Sequence, residues 1–194
     1  MTIPEDGPSD ILDARAAGSR HGGPSFSLRH RLVRALWAVV WTLGARWTPP
    51  PMHGWRGFLL RSFGARIDRT ARIYGSVRVW YPPNLSVGRN AVIGPGAICY
   101  SMAPLEIGDD AVVSQRAHLC AGSHDIDDPH FQLVVRPIVI GPKAWVAAEA
   151  FVGPGVEIGE GAVLGARGVT VKSLMPWTVY VGNPARTVRK RQTH

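Results

Sequence analysis

Cysteine is scarce, with only Cys99 and Cys120 among 194 residues. That excludes a disulfide framework and suits a reducing, cytosolic setting. Acidic residues are outnumbered, 14 against 22 Lys and Arg, for a formal charge of +8. Charged side chains make up 19% of the chain, where about 25% is usual. No apolar run reaches the roughly 20 residues that a bilayer crossing needs, and the uncharged run over residues 35–45 is about half that length. The start of the chain is acidic, with no apolar core and small-residue cleavage site behind it, so a signal peptide is not expected. Glycine and proline are plentiful instead, 22 and 16, together above their usual share of about 12%. Such a chain favours turns over helical bundles, and its length suits one domain with a short attachment. The positive balance suits phosphate-bearing ligands, nucleic acid or anionic lipid, and charge alone does not choose among them.

Residues 1–25 are Gly, Pro, Ser and charge with almost no apolar periodicity, and are expected to form a disordered tail. Residues 26–64 read as an amphipathic helical segment. Leu28, Leu32, Val33, Leu36, Trp37, Val40, Trp41 and Leu43 recur at spacings of three and four. Arginines accompany them, and no Asp or Glu occurs in this stretch. Thr48-Pro49-Pro50-Pro51 ends the first helix, and residues 53–63 suit a second, shorter one. Two readings stand side by side. In one, an interfacial helix holds Trp37, Trp41 and Trp47 at headgroup depth with arginines on lipid phosphates. In the other, a helical pair packs on the main domain or on a neighbouring subunit.

From Ile67 the sequence repeats every six residues. Aliphatic positions run Val87, Ile93, Cys99; then Ile107, Val113, Leu119; then Ile140, Val146, Val152, Ile158, Leu164. Gly often follows the aliphatic residue, and a small residue recurs four positions after it. Neither a helix nor an alternating strand explains that period. A coil with three walls of six residues does, because each aliphatic side chain then points inward and stacks on its counterpart one coil away. The phase slips by two near Leu85–Val87 and again before Ile107. A larger excursion, residues 125–137, interrupts a coil domain expected over 65–182, with a basic tail at 183–194. Excursions that leave the repeat intact on both sides are loops, and such loops commonly carry function.

LCAGSHDIDDPHF, IGPKAWVAAEAFVGPGVEIGEGAVLGARGVTVKSL and VYVGNPARTVRK, together with the hexads, resemble the hexapeptide-repeat acyltransferases. Residues 26–64, with TPPPMHGWRGFLLRSFGA, resemble the N-terminus of the colanic-acid-type exopolysaccharide O-acetyltransferases. The resemblance implies an all-β solenoid, a left-handed parallel β-helix preceded by a short helical segment. It implies a homotrimer that moves an acetyl group from acetyl-CoA to a saccharide hydroxyl during exopolysaccharide or lipid-linked glycan assembly. It also implies a cytoplasmic enzyme, peripheral on the inner membrane if residues 26–64 touch lipid.

Acetyl transfer needs a base, donors for the developing oxyanion and a slot for the carrier. The family's catalytic histidine falls on His124, where a hexad gives way to the excursion, and imidazole suits proton exchange near neutrality. Asp125 or a backbone carbonyl would fix its tautomer. The carrier slot is expected along the small residues Ala147, Ala148, Gly165 and Ala166, whose backbone amides would bond the pantetheine arm, with Trp145 as a wall. Lys172, Arg186 and Arg189 would meet the CoA phosphates, while Lys190 and Arg191 read as solvated tail. Acceptor contacts are expected from Ser101, Arg116, His118 and Asp125. Arg116 and Ser101 stand where simple galactoside and maltose acetyltransferases carry an Asn and an acidic residue, which points to an acidic or phosphate-bearing glycan. No metal is expected, because a zinc site of the γ-carbonic-anhydrase kind would need three converging ligands and only His118, His124 and His130 are candidates. Nucleic acid is not expected, since no recognition motif accompanies the charge. A noncatalytic trimeric scaffold at a membrane is the alternative should His124 prove dispensable, and Cys120 lacks a separate base for nucleophilic catalysis.

Overall fold

The computed structural model describes residues 11–14 and 25–192. From residue 66 the chain winds through successive three-walled coils. The first holds β1 (Arg66–Ile67), β2 (Arg72–Ile73) and β3 (Arg78–Val79). The second holds β4 (Leu85–Val87), β5 (Val92–Ile93) and β6 (Ile98–Tyr100), and the third β7 (Leu105–Ile107), β8 (Val112–Val113) and β9 (His118–Cys120). A hairpin of β10 (Gly122–His124) and β11 (Leu133–Val135) then leaves the coil. β12 (Ile138–Ile140), β13 (Trp145–Val146) and β14 (Phe151–Val152) make the fourth, and β15 (Glu157–Ile158), β16 (Val163–Leu164) and β17 (Val169–Thr170) the fifth. β18 (Thr178–Val181) and β19 (Arg186–Lys190) close the stack as an antiparallel hairpin.

Parallel pairing joins each wall to its counterpart. Ile67, Val87, Ile107, Ile140 and Ile158 stand in one ladder. Ile73, Ile93, Val113, Val146 and Leu164 stand in a second. The third is Val79, Cys99, Leu119, Val152 and Thr170. These side chains are buried and point into one core, where each aliphatic contributes about 1.5–3 kcal/mol relative to exposure. Arg66 pairs with Ser86 and Glu106 with Val139, so the two-residue slips and the long excursion leave the ladder in register. Corners explain the glycines. A Cβ on Gly141 would lie 2.7 Å from the Glu160 nitrogen and 2.8 Å from the Ile158 oxygen, so the next coil leaves no room for one.

Two helices, α1 (Leu28–Gly44) and α2 (His53–Ser62), close the other end. Strand carbonyls of the first coil have no earlier coil to pair with, and an open edge of this kind invites association. The helices supply the donors. Trp37 Nε1 donates to Val79 O at 2.7 Å, Trp41 Nε1 to Val77 O at 2.9 Å, and Arg61 Nη1 to Ile67 O at 3.2 Å. Arg56 is fully buried and donates to Ile73 O, Thr48 Oγ1, Pro49 O and Pro50 O.

Three expectations change here. Trp37 and Trp41 do not reach headgroup depth, because they fill the cap; Trp47 is exposed. Within the stretch expected as a disordered tail, Ile11 bridges to Phe26 and Ala14 N donates to Gln132 Oε1, while residues 1–10 and 15–24 lie outside the described residues. Residues 186–190 of the expected basic tail form a strand rather than a tail, because Thr178–Val181 offers them a free edge.

Candidate active site

His124 ends β10, and β11 returns beside it with His124 opposite Leu133. The hairpin tip is wound by its own polar atoms. Asp125 N donates to Gln132 O at 2.9 Å, and Asp128 O accepts from Phe131 N at 2.9 Å. Asp128 Oδ1 also accepts from His130 N at 2.8 Å. Phe131 is left with φ +56, a conformation uncommon for a bulky side chain. That turn brings its carbonyl to 2.8 Å from His124 Nδ1 and lays its ring on the imidazole, centroids 4.3 Å apart and planes 9° from parallel. Nδ1 therefore carries the proton and donates to Phe131 O, leaving the exposed imidazole with Nε2 as its lone-pair nitrogen. The carbonyl alternative is thus the one realised, and Asp125 instead accepts from Asp127 N through Oδ1.

The other expected acceptor residues do not gather around His124. Ser101 is fully buried, and its hydroxyl donates to Tyr81 O and accepts from Tyr81 N. It faces the bend before β7 and cannot meet a ligand. Arg116 turns the corner before β9 and pairs with Glu149 at 2.7 Å, while Arg167 Nε reaches the other oxygen of Glu149 at 2.7 Å. The two arginines hold the Glu149 carboxyl below its ordinary range, Arg167 being the larger cause. Arg116 is thus a strut between coils. His118 lies on β9 between the rings of Tyr100 and Phe151, with a buried Nε2 that has no hydrogen-bond partner among the described residues. Burial pushes its pKa down.

Along the expected carrier slot, Ala147 N donates to Leu164 O and Gly165 N to Tyr180 O, so both amides serve the coil stack rather than a ligand. Ala148 and Ala166 remain partly or fully exposed on successive corners. Trp145 is exposed, and its Nε1 donates to Ser114 Oγ at 2.9 Å. It flanks an open groove of about 740 Å³ with Lys143, Trp177 and Arg191. Lys172, Arg186 and Arg189 are exposed near the last coil. Arg191 is not solvated tail: Nη1 donates to Lys143 O and Gly161 O, and its guanidinium lies over Trp177. Lys190 Nζ likewise donates to Thr178 Oγ1. Phe131 and Arg191 had no signal in the repeat, since one acts through a turn and the other through a strand that pairs only after folding. Among the described residues no group of three His, Cys, Asp or Glu side chains is placed to hold a metal ion.

No family model matches the sequence. WcaF of Escherichia coli strain K12, named for an acetyltransferase of colanic acid biosynthesis, is 45% identical over 159 residues, covering 82% of this chain and 87% of that protein. The chain belongs to the hexapeptide-repeat acetyltransferases of the colanic acid type. Solved structures carry the same left-handed parallel β-helix. A galactoside acetyltransferase in complex with coenzyme A superposes with a TM-score of 0.79 at 22% identity, covering 87% of this chain and 86% of that one. A maltose O-acetyltransferase from Clostridium difficile 630 superposes with a TM-score of 0.75 at 25% identity, covering 86% and 90%.

Proposed function

We propose that the protein transfers the acetyl group of acetyl-CoA to a hydroxyl of a saccharide, with His124 as general base. The observation that carries this is the Nδ1 contact with Phe131 O, which fixes the tautomer a base requires. Nε2 takes the hydroxyl proton as the sugar oxygen bonds to the thioester carbonyl carbon. The tetrahedral oxyanion then collapses, the C–S bond breaks, and the imidazolium returns its proton to the CoA thiolate. Family membership supports the acetyl chemistry, and the galactoside acetyltransferase of the same fold was solved with coenzyme A.

The carrier lies along the corners of Ala148 and Ala166, beside Trp145, with Lys172, Arg186 and Arg189 for its phosphates. A second subunit of a homotrimer completes that groove. The acceptor is a glycan of exopolysaccharide assembly, in line with the colanic acid biosynthesis for which the relative is named, and is met at the cytoplasmic face of a bacterial membrane. The hairpin tip, including His130, walls its site.

Thiol release from acetyl-CoA, with mass detection of product, tests the reading across neutral and anionic mono- and oligosaccharides. Acceptor-dependent turnover that falls by orders of magnitude in His124→Ala is expected. Full turnover in that variant would overturn His124 as base, and absence of both acetyl-CoA binding and turnover would overturn the donor.

A further inference from the structure

We propose that the outward face of α1 and α2 docks on an anionic lipid surface. This deepens the membrane contact proposed above and rests on it; the face, its residues and the lipid charge are what it adds.

Leu28, Leu32, Leu36, Val39 and Leu43 fall within about 80° of arc at a helical 100° per residue. Each is 54–68% exposed. Trp37 and Trp41 lie on the opposite side, buried against the first coil. Helix α1 therefore has two apolar faces, and the β-helix covers one. The open face continues beyond the helix through Trp47, Trp55 and Phe58, all exposed. The two indoles are anchored, Trp47 Nε1 on Leu43 O and Trp55 Nε1 on Gly44 O, so the rings are held outward without an unsatisfied N–H. A contiguous apolar surface of this extent marks an interaction site.

Charge selects the occupant. Residues 26–80 contain ten arginines and a single acidic residue, Asp68, whereas the rest of the chain has twelve basic and thirteen acidic side chains. The whole positive excess sits at this end. Arg29, Arg31 and Arg46 are exposed around the helix, and Arg66, Arg72 and Arg78 project from the three walls of the first coil. A second copy of the chain would set this charge against itself, while anionic headgroups neutralise it. Among the described residues no helix is long and apolar enough to cross a membrane, so α1 lies along the surface. Phe26, just before α1, is buried with Met102 and with Leu133 of β11. The hairpin that carries His124 is thereby anchored to the docking helix, which holds a lipid-borne acceptor near the base.

Flotation of the full-length protein with vesicles of phosphatidylcholine, alone or mixed with phosphatidylglycerol, tests this. Wild type is expected to bind the anionic vesicles at least about tenfold better at low salt, and to lose much of that preference at high salt. Leu32→Asn/Leu36→Asn/Leu43→Asn is expected to lose about tenfold or more of the binding, with melting temperature and turnover on a soluble acceptor unchanged. Should that variant misfold, Arg29→Gln/Arg31→Gln/Arg46→Gln, which alters only exposed charges, is expected to lose the anionic preference. Wild type binding neither vesicle overturns the membrane contact itself. Equal binding by wild type and a folded leucine variant overturns only the assignment of the face, and indifference to lipid charge overturns the lipid class. A wild-type assembly that the leucine variant splits into smaller species by light scattering, without vesicle binding, would make the face a contact between copies and overturn the proposal.

Discussion

The Phe131 carbonyl oxygen lies 2.8 Å from Nδ1 of His124, and the Phe131 ring covers the same imidazole. One residue seven positions on thus sets both tautomer and ring plane. His124→Ala is expected to lower kcat by about 10²–10⁴. Phe131→Gly keeps a backbone that tolerates the positive φ and its carbonyl but removes the stacked ring. A smaller fall in kcat with unchanged KM for acetyl-CoA is expected, measured by steady-state thiol release.

Glu149 links Arg116 and Arg167 on successive coils. Its carboxyl titrates below its ordinary range, so the stability it contributes is present above the unfolded pKa and is lost as pH falls through the folded one. Glu149→Gln is expected to melt slightly earlier than wild type at neutral pH. The gap should close below about pH 4 and in high salt, as thermal melts across pH and ionic strength would read.

Two glycines predict opposite outcomes. Gly141→Ala would press its Cβ on the backbone of Ile158, Gly159 and Glu160, and is expected to cost about 1–3 kcal/mol or more. Gly54 in α2 has nothing within 4 Å of a built Cβ. Gly54→Ala is expected to stabilise by up to about 1 kcal/mol, both values read from denaturant unfolding.

Arg56 is buried against carbonyls with no carboxylate among the partners described above. Arg56→Met would strand those oxygens, and a loss of about 2–4 kcal/mol is expected. Arg56→Lys should recover little, because an ammonium cannot fork across the Ile73 and Pro50 sides. Chemical unfolding midpoints would check both.

Cys99 stands in the third ladder as a hydrophobe, and burial pushes its thiol up to about 12. Cys120 is half-buried, with Sγ donating to Gly122 O. A thiol reagent at neutral pH is expected to label at most one cysteine in the native protein and both after denaturation. Labelling of Cys99 under native conditions would contradict its place in the core.

The six-residue period determined the coil, because stacking identical walls demands the same residue at the same phase in every turn. Ile140, Val146 and Val152 could be placed on three walls from spacing alone, and the break after Ser123 located the His124 excursion. Residues that act across the stack were not legible. Ser101 reads as a surface position until the bend at Tyr81 closes over it, and Arg116 reads as a ligand contact until Glu149 arrives one coil later. The arginines and tryptophans of residues 26–64 were visible as a basic, apolar stretch. Which of them face inward was decided by the unpaired carbonyls of the first coil, an edge that exists only once the coil has formed. Local periodicity fixes what repeats along the chain, and partners distant in sequence, brought together by folding, fix what each exception does.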